Sequence, residues 1–235
     1  MQIEITNISK SFDENTVLNI PQLSINDNEL VGIIGNNGAG KTTLFRLCLD
    51  LLRADKGNIF IEKEDVSKSE SWKTITSSFI DERFLIDFLT PKEYFHFIGN
   101  LYNIKRIEID DRINHFSHLM GNEIMQKKNK YIGQFSKGNK QKIGIIGAMI
   151  TYPKLLILDE PFNYLDPSSQ IIMKELLQNY NHIHGTTILL SSHNLQYVMD
   201  ICSRVIVLDS GHVIYDEVDL TKANKGKIEQ YFLKY

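Results

Sequence analysis

The chain has 235 residues, 42% of them hydrophobic and 23% charged, and a formal charge of -3, which fits one sizeable water-soluble core. So small a net charge gives no bulk electrostatic case for nucleic acid or an anionic membrane surface, and no apolar run reaches the roughly 18–20 residues that span a bilayer. The opening MQIEITNISK lacks an apolar signal core, and Cys48 and Cys202 stand in apolar patterns without metal-ligand spacing, so a cytosolic protein with two buried free thiols is expected.

Short β-type runs open the chain at Ile3 to Thr6, Val17 to Ile20 and Leu23 to Ile25, followed by the apolar Leu30-Val31-Gly32-Ile33-Ile34. From Lys41 to Arg53 apolar residues recur at i, i+3, i+4 and i+7, the spacing of an amphipathic helix. Asn58 to Glu62 reads as a further strand after the Lys56-Gly57 turn. From about Pro91 the texture turns helical, through Tyr94, Phe95, Phe97, Ile98, Leu101 and Tyr102, then Ile109, Ile113 and Phe116; this predicts a helical insert to about Ile150. Leu155 to Leu158 and Thr187 to Leu190 are apolar on both faces, as strands of a parallel sheet covered by helices are. Val205 to Leu208 and His212 to Tyr215 flank Asp209-Ser210-Gly211 as a hairpin, and a polar C-terminal helix follows.

Between the strand ending at Ile34 and the helix beginning at Lys41 lies Gly35-Asn36-Asn37-Gly38-Ala39-Gly40-Lys41-Thr42, with Thr43 adjoining. Glycines let such a loop curl its N–H groups toward phosphate oxygens, and the following helix adds the positive end of its dipole. Lys41 can then reach the β- and γ-phosphates and the Thr42 hydroxyl can ligate Mg²⁺, so the loop predicts binding of a nucleoside triphosphate. Leu155-Leu156-Ile157-Leu158 ends in Asp159-Glu160, which places two carboxylates where ligands gather in open α/β sheets. Asp159 there can hold the Mg²⁺ shell and Glu160 can polarise water for attack on the γ-phosphate; solvated acids at a strand end are the plainer alternative. His193 follows the next parallel-type strand through Ser191-Ser192, where it can donate to the γ-phosphate and orient the attacking water.

Taken together with Phe135-Ser136-Lys137-Gly138-Asn139 and Asn163-Tyr164-Leu165-Asp166-Pro167, these motifs resemble the ATP-binding cassette (ABC) ATPases over essentially the whole chain. The resemblance implies an α/β fold: a P-loop NTPase core with a mainly parallel sheet, an N-terminal antiparallel β subdomain and an inserted α-helical subdomain at about 82–150, in one domain of residues 1–235. It implies that Phe12 stacks on adenine, that Ser136 and Gly138 face the triphosphate of a second subunit, and that Asp166 is the family's communicating aspartate. Ser136 is also a suitable helix N-cap, and Asp166-Pro167 a cap-then-proline helix start. Where the family carries a glutamine near the metal, this chain has Ser78-Phe79-Ile80-Asp81-Glu82-Arg83; Asp81 falls nearest that position and Glu82 next, so Asp81 is the expected third metal contact. Ser136-Lys137-Gly138 followed by Lys140-Gln141 is similar to the drug, antibiotic and bacteriocin exporter branch.

The implied protein is an ATPase subunit working with ATP and Mg²⁺ at the inner face of the cell membrane. It pairs as a homodimer, or as a heterodimer with another ABC ATPase, and powers transport, expected to be export, through a separate transmembrane permease. Its membrane association comes through that partner, docked on the aromatic-rich Tyr94 to Tyr102 region, and no nucleic acid is involved. Lys127, Lys128, Lys130, Lys137, Lys140 and Lys142 read as a solvated face flanking the partner's triphosphate rather than a nucleic-acid surface. The alternatives are a soluble ABC ATPase of the iron–sulfur assembly type and, in a different class, a P-loop small-molecule kinase, which has no use for Ser136-x-Gly138.

Overall fold

The computed structural model describes residues 2–127, 129–218 and 226. Its strands are β1 (Ile3–Phe12), β2 (Asn15–Ile25), β3 (Leu30–Ile34), β4 (Lys56–Ile61), β5 (Glu64–Asp65), β6 (Thr76–Phe79), β7 (Leu155–Leu158), β8 (Thr187–Ser192), β9 (Arg204–Asp209) and β10 (His212–Glu217). Its α-helices are α1 (Lys41–Cys48), α2 (Pro91–Leu101), α3 (Arg106–His115), α4 (Ser117–Gln126), α5 (Lys137–Met149), α6 (Pro167–His184) and α7 (Leu195–Ile201).

Two sheets form, a four-stranded one in the order β2-β1-β4-β5 and a six-stranded one in the order β10-β9-β3-β8-β7-β6. The first is antiparallel throughout. In the second, β9, β3, β8, β7 and β6 run parallel and β10 adds an antiparallel edge. The mainly parallel core and the antiparallel N-terminal layer match the expected α/β architecture, and helices α2 to α5 lie between β6 and β7.

Side chains of the six-stranded sheet alternate between two cores. Val31, Ile33, Ile157, Leu189 and Ile206 face α1 and the antiparallel sheet, while Leu30, Ile34, Leu156, Leu158, Leu190 and Val207 face the helical insert, α6 and α7. Sealing both faces explains why β3 and β7 carry no polar side chain and β8 carries the apolar run Ile188-Leu189-Leu190. Fully burying each such Leu, Ile or Val contributes about 1.5–3 kcal/mol. The layer is tight at Gly32, where a Cβ would stand 2.0 Å from Cγ1 of Val198 on α7. Cys48 and Cys202 are buried free thiols, one in each core, and burial pushes the Cys48 thiol up to about 12.

Several predicted boundaries shift: β1 runs on past Thr6 to Phe12, and the separate runs Val17 to Ile20 and Leu23 to Ile25 form one strand, β2. The first helix stops at Cys48 and not at Arg53: Leu49 caps it, Asp50 turns to φ +51°, and Asp55 N–H donates to the Ser9 carbonyl at 2.9 Å as the chain enters β4 beside β1. Pairing β4 with β1 overrides the helical spacing of the last five residues. The predicted C-terminal helix and Lys128 lie outside the described residues. Among those described, no helix is long and apolar enough to cross a membrane.

Candidate nucleotide site

Parallel pairing sets the ends of β3, β6, β7 and β8 along one edge: Ile34 is level with Ser192, Leu158 with Leu190 and Phe79 with Leu158. The residues that follow these strands, Gly35, Ile80-Asp81, Asp159-Glu160 and His193, therefore converge although they span most of the chain.

The glycine loop wraps the start of α1. Gly38 (φ +85°) and Gly40 (φ +105°) adopt left-handed backbone that glycine tolerates without strain, and nothing lies within 4 Å of where a Gly38 Cβ would be. Gly40 packs against the Val17 carbonyl of β2, and the Ala39 carbonyl accepts from Gly211 N–H at 3.0 Å, so neighbouring turns brace the loop. The N-terminus of α1 has no side-chain cap and no acid in its first turn. Its first N–H groups, with the open face over Gly38, form a cradle suited to a polyanion such as a triphosphate.

Lys41 is buried, with Nζ donating to the Gly35 carbonyl at 2.6 Å and to Asn36 O at 3.3 Å, and lying 3.6 Å from Glu160 Oε1. Thr42 Oγ1 donates to Asp159 Oδ2 at 2.5 Å, and Ser191 Oγ donates to the other oxygen, Oδ1. Burial raises the Asp159 carboxyl above its ordinary value, against the lowering effect of those two hydroxyls. A hydroxyl and a carboxylate this close are hard oxygen donors of the kind Mg²⁺ takes. Among the described residues no group of three or more His, Cys, Asp or Glu that could hold a metal is found.

Glu160 adopts φ +48°, an uncommon conformation for a residue with a Cβ. Its Oε2 accepts from His193 Nδ1 at 3.0 Å and from His193 N–H at 3.3 Å. Its own N–H donates to Ser191 Oγ at 2.8 Å, and its carbonyl accepts from Gln141 Nε2 at 3.0 Å. Ile80, Asp81, Glu82, Arg83, Gln141, Asp159, Glu160, Asn163 and Tyr164 line a single cavity of about 320 Å³.

Asp81 is thus on the expected wall, but Arg83 grips both its oxygens, with Nε at 2.9 Å and Nη2 at 2.8 Å. That fork is the largest cause holding the Asp81 carboxyl below its usual value. Ser136 caps α5, accepting from Asn139 N–H at 3.3 Å. Asp166 caps α6, accepting from Ser168 Oγ at 2.5 Å and from Ser169 N–H at 3.0 Å. Those two hydrogen bonds, with a third from Ser169 Oγ, hold its carboxyl far below its ordinary value. Phe12 ends β1 with its ring half exposed and the Lys10 ammonium 5.6 Å from its centroid.

Ser136 accepts from the N–H groups of Asn139 and Lys140 within its own helix, and Gly138 lies against the Tyr164 carbonyl. Trp72 is buried in the core under the antiparallel sheet and lines a groove of about 370 Å³ with Tyr94, Ile98 and Tyr102. Sequence reading passed over Ser191, Gln141 and Arg83. The Arg83 partnership could be guessed from Asp-Glu-Arg spacing, whereas Ser191 and Gln141 gain meaning only once β8 and α5 are packed beside β7.

Residues 18–163 match the family model described as ABC transporter. The chain is 37% identical over 219 residues to the ABC transporter ATP-binding protein NatA of Bacillus subtilis (strain 168), covering 91% of this chain and 88% of that one. It is 33% identical to the methionine import ATP-binding protein MetN of Burkholderia thailandensis, covering 90% of this chain and 64% of the relative's length. A solved ATP-binding subunit of an ABC transporter superposes with a TM-score of 0.84 at 26% identity, over 99% of this chain and 93% of that one. The dimeric ABC transporter cassette MJ0796 shares the fold, with a TM-score of 0.81 at 22% identity over 92% of this chain and 98% of that one. The family match runs from β2 to just beyond Glu160 and so takes in the loop, the cradle and the acids of the sheet edge; the protein belongs to the ABC transporter family, as one of its ATP-binding, ATP-hydrolysing cassettes.

Proposed function

We propose that two copies of this chain, or one copy and a homologous cassette, close on two ATP molecules, each held between the Lys41 loop of one and the Ser136 helix of the other. The observation that carries this reading is the Glu160 carboxylate, which meets His193 on one side and Lys41 on the other at the rim of the phosphate cradle. The dimeric form of the MJ0796 cassette, which shares this fold, supports a site completed by a second cassette.

In this reading Lys41 leaves the Gly35 carbonyl for the β- and γ-phosphate oxygens, a stronger, charged acceptor. Phe12 offers its exposed ring face to the adenine. Thr42 and Asp159 would hold Mg²⁺, with Asp81 as the further contact, and the cation would partly neutralise the charge of the phosphates. Glu160 orients the attacking water and accepts its proton. His193 holds Glu160 through Nδ1–H, which leaves Nε2, when protonated, free to donate to the γ-phosphate. Loss of the γ-phosphate removes the contacts that keep the pair closed, so hydrolysis reopens it.

The partner that feels this closure is a transmembrane permease seated on the groove beside Tyr94 and Tyr102, which holds the cassette at the inner face of the membrane. The direction of transport belongs to that permease. MetN cassettes, named for import, match this chain over 90% of its length, so the exporter-like Ser136-Lys137-Gly138 does not fix the direction. The names of NatA and MetN as ABC transporter and import ATP-binding proteins favour transport over a soluble iron–sulfur assembly role.

The test is Glu160→Gln, which keeps the size of the side chain and removes its charge. It should trap a dimer with ATP bound and lower turnover by about a hundredfold or more. A variant that stays monomeric with MgATP, or hydrolyses at the wild-type rate, overturns the reading. Isolation of the native protein with a multi-span membrane subunit tests the transport role.

A further inference from the structure

The geometry points to Gln141 as a positioning residue for Glu160, and this rests on the reading of Glu160 as the group that accepts the water's proton. Glu160 at φ +48° is held against its own backbone preference, and such a conformation persists only where neighbours over-determine it. Three groups do so. Ser191 Oγ takes its N–H at 2.8 Å, and its carbonyl accepts from Asn163 N–H at 3.1 Å and Gln141 Nε2 at 3.0 Å. The Asn163 bond belongs to the local turn, and Ser191 comes from the neighbouring strand β8. Gln141 alone of the three arrives from the helical insert, on the helix that Ser136 caps.

Two peptide groups flank the Cα of Glu160, and fixing both sets the direction of its Cα–Cβ bond. That direction decides whether Oε2 reaches His193 Nδ1 at 3.0 Å and Oε1 stands 3.6 Å from Lys41. Gln141 is only 7% exposed and lines the same cavity as Asp159, Glu160 and Asp81, so its amide is shielded from competing water. Its side-chain amide donates to the Glu160 carbonyl, and through that bond it acts on Glu160. Its loss should therefore reach the chemical step and spare nucleotide binding.

The experiment measures turnover and ATP affinity separately in Gln141→Met and Gln141→Glu, with Glu160→Gln as reference. Met matches the length of Gln but cannot donate; Glu keeps the shape and turns a carboxylate oxygen toward the Glu160 carbonyl. Both should lower kcat about tenfold at saturating MgATP, with KM for ATP and the melting temperature nearly unchanged. Wild-type kcat in Gln141→Met beside an inactive Glu160→Gln overturns the positioning role and leaves Glu160 in place. Full turnover in Glu160→Gln overturns the reading beneath it. If both Gln141 variants lose nucleotide binding or melt early in step with kcat, the contact is a clamp on the fold, and the proposal is likewise overturned.

Discussion

A methyl group on the Cα of Gly138 would stand 2.4 Å from the carbonyl oxygen of Tyr164. The first turn of α5 therefore lies directly on the Asn163 to Asp166 segment, and the Lys137 ammonium sits 5.2 Å from the Tyr164 ring centroid across the same seam. The colliding atom is backbone, so a side chain cannot swing aside to relieve it. Gly138→Ala should cost about 1–3 kcal/mol as the helix is pushed off the segment. ATP turnover should fall with it, because Ser136 and Asp166 are displaced together. Thermal unfolding and ATPase assays of the variant check both; an unchanged melting temperature would mean that the seam yields freely.

Ser191 serves two masters, donating to Asp159 and accepting the N–H of Glu160. Ser191→Ala strips a donor from a carboxylate that is 8% exposed and leaves a part-buried N–H unpaired. The expected loss is about 1–3 kcal/mol in urea unfolding, with reduced turnover. A variant as stable as wild type would show that water replaces the hydroxyl.

Asp81 and Arg83 make opposite predictions for the same measurement. Asp81→Asn removes a negative charge from the metal's wall and should raise the Mg²⁺ concentration for half-maximal turnover. Arg83→Ala frees the Asp81 carboxylate from its fork and should lower it. Shifts of about two- to threefold are expected, the scale of a screened charge pair near the surface. If neither variant moves the Mg²⁺ curve, Asp81 is not a metal contact.

Asp166 ties stability to acid. Hydrogen bonds from the Ser168 and Ser169 hydroxyls and from the Ser169 N–H depress its carboxyl below the ordinary 3.8. A depressed carboxyl gives its stabilisation above the unfolded-state value and loses it as pH falls toward the native one. Asp166→Ala should therefore cost about 1 kcal/mol of helix capping at pH 6. The gap to wild type should shrink steadily below about pH 4. Chemical denaturation at several pH values measures it, and a gap that stays constant down to pH 3 would remove the charge from the explanation.

The residues that announce themselves in the sequence are those whose chemistry depends on local spacing. Gly35 to Thr42 needs only its own glycines and the helix that follows, Asp166-Pro167 carries its own capping signal, and the apolar runs of β3, β7 and β8 record burial on both faces. The end of α1 was misjudged because β4 pairs with β1, and helical periodicity says nothing of a strand partner.

The sequence by itself determined the α/β class, the phosphate cradle and the acids placed after β7, because these follow from residue type and short-range order. Tertiary structure decided the rest: that β3, β6, β7 and β8 end level on one edge, and that Ser191 and Gln141 hold the backbone of Glu160. Those contacts join residues 19 to 31 positions apart, or depend on strand order, and a hydrogen bond formed across a packed layer leaves no periodic trace in the chain that makes it.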